Sequence, residues 1–263
     1  MRLKLLLHSA RAQSIPINYQ YPLMIAIMKM LETASKDYAS FIHNSGYKGL
    51  DGKNRKLFTF SKIFFSPRPD LLSRRLFLKP KTTGALILSS PMIDDFLKNF
   101  ILGASQNRGI QIEKANFEIA SIEQVQQPNF SNKMRFRTLS PIAITTVRLH
   151  NGKESTYYYR PLDNDLSHAV KKSLIGKYQS VFQKNPDDTN LDFKIDREYI
   201  AARGGEANIS KLVHIKENLK SQTTKIKAFE SPFYLEGSQE LMQVAWDCGI
   251  GDKTNMGFGC IGL

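Results

Sequence analysis

RRLFLKPKTTGALILSSPMIDDFLKNFILG, residues 74–103, holds two strand-like runs, a tight turn and a helix. RRLFLK (74–79) and GALILSS (84–90) are apolar runs of strand length, and P-K-T-T-G between them punctuates the chain as a turn. PMIDDFLKNFILG (91–103) opens with Pro, carries two aspartates in its first turn and ends on Gly, the signature of a short helix. Upstream, KLFTFSKIFF (56–65) is rich in aromatic residues and reads as another strand. Before it the run LMIAIMKML (23–31) is almost wholly apolar, and ETASKDYASFIHNSG (32–46) turns amphipathic. Pro22 suits the first turn, Ala34, Tyr38, Phe41 and Ile42 share one face, and Gly46 is a natural stop, so one long helix is expected. At the start, Leu3, Leu5 and Leu7 alternate with Arg2, Lys4 and His8, the period of a half-buried strand. IQIEKANFEIASIEQV (110–125) alternates as one more strand. The order is β-α-β-β-α-β, the ferredoxin-like pattern, complete by about residue 125.

QQPNFSNK (126–133) is polar and loop-like, and a domain boundary is expected there. The second half repeats the pattern more loosely. MRFRTLSPIAITTVR (134–148) supplies strands, DNDLSHAVKKSLIGKYQSVFQK (163–184) a helix, LDFKI and TTKIKAFESPFYLEG further strands, and SQELMQVAWDC (238–248) a helix. The fold expected is α+β, two tandem ferredoxin-like (RRM-like, βαββαβ) domains over residues 1–125 and 134–263. Residues 185–225 follow no period that assigns them.

Of the 263 residues, 41% are hydrophobic and 23% charged, which excludes a disordered chain. The formal net charge of +13 favours polyanionic partners, nucleic acid above all, and no run of six like charges concentrates it in a tail. MRLKLLLHSARA imitates a secretory signal, but three leucines are far short of its apolar region. No stretch of about 18 apolar residues spans a membrane. Cys248 and Cys260 make no disulfide framework, and a reducing cytoplasm is expected.

The last fifteen residues, GIGDKTNMGFGCIGL, hold five glycines. Gly249, Gly251 and Gly257 are not spaced as a dinucleotide fingerprint, no helix follows, and Lys253 lacks the glycine that a Walker loop places before its lysine. What remains is a loop of unhindered backbone N–H groups with Lys253, Thr254 and Asn255 at its tip, suited to close approach of a phosphodiester. On that reading Gly257→Val weakens RNA binding and leaves the fold intact. The pairs Asp94–Asp95, Asp163 with Asp165, and Asp187–Asp188 have no histidine nearby that completes a ligand set, so no metal and no cofactor is expected. The histidines are His8, His43, His150, His168 and His214, and most lone histidines are structural or merely exposed. His43 differs: it ends a helix and precedes NSGYKGLDGKNRK, which brings Lys48, Lys53, Arg55 and Lys56 close in sequence. An imidazole beside several cations suits work on a phosphodiester.

IPINYQYPLMIAIMKML, FIHNSGY, KLFTFS, LSPIAITTVR and GIGDKTNMGFGCIG, in that order, resemble the CRISPR-associated endoribonuclease family that processes repeat-containing precursor RNA, within the RAMP superfamily. The terminal G-x-G-x5-G-F-G is the superfamily's signature, and LFTFS after a helix-end histidine points to the processing enzyme. Residues 62–130 and 150–235 match only in general pattern. The resemblance implies two ferredoxin-like domains and metal-independent cleavage within each repeat, leaving a 2′,3′-cyclic phosphate and a 5′-hydroxyl. It implies His43 as the catalytic histidine and Lys56 as the catalytic lysine, with Lys53 or Lys48 as alternatives because the intervening insert is long. The tyrosine that some members carry on the first helix falls on Met28 here, leaving Tyr38, Tyr47 or no tyrosine in its place. RNA contacts are expected from Gly249, Gly251, Lys253, Thr254, Asn255, Gly257, Gly259, Lys53 and Arg55, extended by Arg135, Arg137, Arg148, Lys171 and Lys172. The partners implied are CRISPR repeat RNA or precursor crRNA, with a CRISPR effector complex as a further candidate; monomer and homodimer both stay open. Some members bind RNA without cutting it, so a non-catalytic repeat-RNA-binding protein is the alternative.

Overall fold

Strand β1 (Arg2–Ser9) buries Leu3, Leu5 and Leu7 and is the centre of the first sheet. In the computed structural model, which describes residues 1–150, 152–215 and 224–263, β1 is followed by two helices, α1 (Gln20–Ala34) and α2 (Lys36–Asn44). The single helix expected here is broken at Ser35, whose extended backbone leaves the helix and whose Oγ accepts from Tyr38 N at 3.2 Å. Local capping by serine outweighs the continuous apolar period. Gly46 does end the second helix, with φ +70° and its N–H on Phe41 O at 2.8 Å.

The sheet continues with β2 (Thr59–Phe60), β3 (Thr82–Ser89), β4 (Gly109–Ile112) and β5 (Ala115–Val125), in the antiparallel order β4-β5-β1-β3-β2. Set aside the edge strand β4, and this is fourth-first-third-second, the ferredoxin-like order. Three expectations change. The strand 56–65 is interrupted, because Ser61 Oγ accepts from Ile87 N and takes the place of a ladder bond; pairing resumes at Phe64–Ser66. The run 74–79 leaves this sheet, since Arg75–Leu78 pairs instead with Gln13–Pro16 and Asp70–Leu72 in a small separate one. The single strand 110–125 is a hairpin turned at Glu113, which has φ +53°. Helix α3 (Lys98–Gln106), entered through a π-turn at Ile93–Leu97, runs past Gly103. Gly103 is therefore no stop: an added Cβ would lie 1.9 Å from Met30 O, so glycine lets α3 lie directly against α1.

In the second half, β6 (Lys133–Thr138) is followed by a hairpin, β7 (Thr145–His150) and β8 (Lys153–Tyr158), and by α4 (Leu166–Phe182). Then come β9 (Leu191–Ile195), a second hairpin of β10 (Ser210–Ile215) and β11 (Thr224–Phe229), β12 (Phe233–Gly237), α5 (Gln239–Cys248) and β13 (Ile261–Gly262). The order β9-β12-β6-β13 repeats the ferredoxin-like arrangement, so the fold is α+β with the motif in tandem. LDFKI forms β9 as a strand, and the rest of the irregular stretch 185–225 contains two short helices and β10, while 216–223 lie outside the described residues. Each half has its own core, around Phe58, Phe96, Phe100 and Phe117 in the first and Phe136, Phe229, Phe233 and Trp246 in the second. Arg2, expected on the polar face of β1, is instead buried between the halves. Among the described residues no helix is long and apolar enough to cross a membrane.

Candidate active site and nucleic-acid interface

Helix α2 carries His43 in its last turn, exposed, with Nδ1 2.9 Å from Asn44 Oδ1. Lys56, half-buried just before β2, donates Nζ to the carbonyl oxygen of His43 at 2.6 Å. Burial pushes the Lys56 ammonium below the ordinary lysine pKa. Of the three lysines considered from sequence, Lys56 is the one bonded to the His43 residue. Lys48 and Lys53 ride on a short hairpin, Tyr47–Lys48 with Asn54–Arg55, that docks on α4.

Arg55 fixes that hairpin. Its guanidinium forms a two-pronged pair with Asp51, at 2.8 and 2.5 Å, and Nη1 donates to Ser180 Oγ at 3.0 Å. The pair holds the Asp51 carboxyl down at about 2, below its usual range. A Cβ on Gly176 would lie 2.2 Å from Arg55 Nη2, so α4 offers the guanidinium a seat only glycine leaves open. Gln183 Nε2 adds a bond to Lys48 O at 2.9 Å. Arg55, expected to contact RNA, gives Nη1 to Asp51 and Ser180 and Nη2 to Asp51, and the bond to Ser180 fastens the loop to α4.

Two grooves flank the bond from Lys56 to the His43 carbonyl, Lys56 lining one and His43 the other. The larger, about 860 Å³, is walled by residues 51–57, the β7–β8 hairpin, α4 and the terminal loop. Lys53, Lys56, Lys172 and Lys253 face it, and its carboxylates are Asp51, paired with Arg55, and Asp252, whose Oδ2 accepts from Thr145 N and Oγ1, both at 2.7 Å. The groove is therefore strongly cationic. The smaller, about 430 Å³, runs between α1 and α2 and includes His43 with Tyr21, Met24 and Met28.

The terminal loop corrects its reading from sequence. Gly251, Lys253, Thr254 and Asn255 line the larger groove as expected, but Gly249, Gly257 and Gly259 do not. All four of those glycines have positive φ, between +70° and +83°. The space a Cβ needs is filled by protein: Ile250 O lies 1.9 Å from that of Gly259, and the Phe60 ring 2.6 Å from that of Gly257. The N–H groups of Gly249, Gly257 and Gly259 are bonded to Ala245 O, Thr254 O and Pro141 O. Gly249 and Gly257 make room for Thr59 and Phe60 of the first half, and Gly259 for Ile250 of the loop itself. Gly257→Val therefore strikes Phe60 and cannot be the fold-neutral change expected from the sequence.

Tyr38 and Tyr47 are also engaged elsewhere. Their hydroxyls are 3.0 Å apart, Tyr47 Oη donates to Asp95 Oδ2 at 3.2 Å, and burial raises both phenol pKa values, Tyr47 to about 12. The tyrosine in the groove of His43 is Tyr21, seven residues before Met28 and so on the same helix face. That i, i+7 relation was available in the sequence. So was His168 with Lys172, one turn apart on α4 and both in the larger groove. Lys177 was missed: fully buried, it donates to Gly249 O at 2.6 Å, and burial lowers its pKa to about 8. Of the extended set, Arg135 is paired with Asp196 at 2.9 Å and Arg148 is stacked 3.5 Å over the Tyr157 ring. Among the described residues no three of His, Cys, Asp or Glu are grouped to hold a metal ion.

The chain matches two family descriptions, "CRISPR-associated protein Cas6, N-terminal" over residues 14–123 and "CRISPR associated protein Cas6, C-terminal" over 124–263. It is 25% identical to a CRISPR-associated endoribonuclease Cas6 of Methanocaldococcus jannaschii, over 99% of this chain and 92% of that protein. It is likewise 25% identical to the CRISPR-associated endoribonuclease Cas6 of Pyrococcus furiosus, over 95% of this chain and 84% of that one. Among solved structures, that of a Cas6-related gene product from Pyrococcus furiosus superimposes with a TM-score of 0.78 at 22% identity, covering 100% of this chain and 97% of the other. A RAMP protein described as binding different RNA substrates also gives 0.78, at 20% identity, with 99% and 98% covered.

Proposed function

The chain belongs to the Cas6 family of CRISPR-associated proteins, and from that premise we propose that it is an endoribonuclease that cuts CRISPR repeat RNA in precursor crRNA without a metal ion. The two halves act as two domains, residues 1–125 supplying His43 and Lys56 and residues 134–263 supplying much of the RNA-binding groove. The observation that carries the reading is the bond from Lys56 Nζ to the carbonyl of His43, which links a residue of the cationic groove to one of the groove containing the imidazole.

RNA brings its own nucleophile, the 2′-hydroxyl beside the scissile phosphate. Its attack on phosphorus breaks the bond to the 5′-oxygen and leaves a 2′,3′-cyclic phosphate and a 5′-hydroxyl. An imidazole that donates its Nδ1 proton to Asn44 Oδ1 keeps a free lone pair on Nε2, the form able to take the 2′ proton. Such a base contributes roughly 10²–10⁴-fold. The Lys56 ammonium faces the charge that develops on the phosphoryl oxygens and the leaving 5′-oxygen, which takes its proton from water, and the hydroxide so formed is neutralised by the proton His43 has taken from the 2′-hydroxyl. Lys53, Lys172 and Lys253 hold the ribose-phosphate chain in line, and alignment alone is worth about 7–11 kcal/mol in favourable cases. These cations fix position; they carry no base sequence.

Incubating the purified protein with its repeat RNA in excess EDTA, and mapping the product ends, tests this reading. The expected result is a single cut with a cyclic phosphate upstream, and a His43→Ala variant that binds RNA as before but cuts about 10²–10⁴-fold more slowly. Cutting that needs added magnesium, or an undiminished His43→Ala variant, overturns it. Tight binding with no cutting by the unaltered protein assigns it instead to the RNA-holding members.

A further inference from the structure

The groove between α1 and α2 has a composition that phosphate binding does not explain. Its α1 wall is made by Met24, Ile25 and Met28, with Tyr21 at one end. Its α2 wall is made by Ala39 and Ser40, small residues that leave the space open, and His43. Ile25 keeps 38% of its surface in water, and Met24 and Met28 are only partly covered. The run Leu23–Leu31, almost wholly apolar in sequence, thus buries one side in the core through Leu23, Ile27, Met30 and Leu31 and turns the other to this opening. Solvent-facing apolar surface gathered in a concavity marks a place where something apolar binds.

The position of the groove names the occupant. His43 belongs to it, so an RNA whose scissile phosphate lies at that imidazole delivers a flanking base to its mouth. About 430 Å³ is nearly three times the roughly 150 Å³ cavity that takes up benzene, ample for a bicyclic purine. Methionine thioethers are polarizable and adapt to the edge and face of an aromatic ring, and Tyr21 offers a flat ring of its own. Lys29 and Lys36 also line it, with the single carboxylate of Glu32, and the two cations suit the phosphates on either side of a base turned inwards.

We propose that this groove is a nucleobase subsite, which receives the unpaired base of a nucleotide flanking the scissile phosphate against Met24 and Met28. The proposal rests on His43 acting at that phosphate, and it makes base insertion beside the cut, rather than backbone contact alone, a determinant of where the RNA is cleaved. Enzymes that act on nucleic acid commonly read an unstacked base in this way, and stacking on protein groups tolerates several bases because every base has a π-face.

Two repeat RNAs, each with a single abasic ribonucleotide on one side of the scissile phosphate and its 2′-hydroxyl retained, provide the test in single-turnover cleavage. The unaltered protein is expected to cut the intact RNA and to lose roughly 10- to 100-fold with one abasic RNA, the scale of one lost stacking contact. Met28→Ala, in protein that keeps its thermal midpoint, is expected to slow intact RNA and shrink the gap between intact and abasic substrates. Met28→Phe, which restores apolar surface, is expected to keep that gap. Equal rates on intact RNA and both abasic RNAs with the unaltered protein overturn the subsite while leaving the endoribonuclease reading in place. Failure to cut intact RNA overturns that reading, and the subsite with it.

Discussion

Lys56 is placed by opposing demands. Its stem is covered where the chain enters β2, and its ammonium is held on a backbone oxygen of the residue that carries the imidazole. Burial disfavours the charged form, so the ammonium loses its proton at a lower pH than a free lysine does. The role proposed needs that charge, so the sign is fixed: cleavage falls as pH rises through the lowered value, earlier than an ordinary lysine dictates. Lys56→Ala is expected to lower single-turnover cleavage by about 10²–10³-fold, the usual cost of removing one stabilising donor. Lys56→Arg keeps the charge at every accessible pH, and its rate profile between pH 7 and 10 is expected to lose the alkaline limb. A limb that persists in the arginine variant assigns the titration to another group. At this scale the sequence was legible where chemistry and position coincide: His43 ends a helix and Lys56 returns to it. It was illegible at Gly257, because composition does not show that a glycine's empty side is filled by Phe60 from the other half.

Among the elements, the hairpin Tyr47–Arg55 couples the two halves of the site. It leaves α2 just after His43, docks on α4 through Arg55, and returns to place Lys56. Arg55→Ala is expected to release this loop, and Gly176→Leu to expel the guanidinium from its seat by direct overlap. Both act through the placement of Lys56, and a displacement of about 1 Å at a reacting group can cost about 10²-fold. Cleavage by either variant is thus expected to fall about 10- to 100-fold, while filter binding of repeat RNA changes far less because Lys172 and Lys253 stay on the second half. Equal losses in binding and cleavage would return Arg55 to the set of direct RNA contacts. The strand and helix order was readable from apolar period and turn residues. The errors lay where a side chain replaces a backbone partner, as Ser35 does in breaking the first helix and Ser61 in interrupting the aromatic strand, and where a missing side chain permits close approach, as at Gly103 between α3 and α1. None of these is periodic, so no pattern announces them.

Among the side chains that join the two sheets into one molecule is Arg2, which is 2% exposed. It leaves β1 on the side opposite the first core and crosses to the second half. There Nη1 donates to Ile261 O at 2.7 Å and Nη2 to Trp246 O at 2.5 Å, with the guanidinium 3.5 Å over the Trp246 ring. Alternation along β1 put Arg2 on a wet face, and it is dried by Trp246 and Ile261, which lie 244 and 259 residues further along the chain. Ile261 belongs to β13 and Trp246 to α5, so one side chain ties the first sheet to both elements that bracket the glycine loop. Replacing it by methionine preserves length and apolar stem but takes the guanidinium donor from the Ile261 carbonyl, at about 1–3 kcal/mol, leaves the Trp246 carbonyl only its bond from Ser89 Oγ, and forfeits the cation–ring contact. Arg2→Met is therefore expected to lower stability by about 2–5 kcal/mol, read as a lower urea midpoint. Trp246 is the chain's one tryptophan and sits at this junction, so its fluorescence reports the contact between halves while far-UV circular dichroism reports both sheets. In the unaltered protein the two transitions are expected to coincide; in Arg2→Met the fluorescence change is expected first, the halves parting before either melts. Coincident transitions at an unchanged midpoint would show that the buried guanidinium adds nothing to the contact, and that packing on Phe60 with the bond from Thr59 Oγ1 to Phe258 O keeps the glycine loop seated.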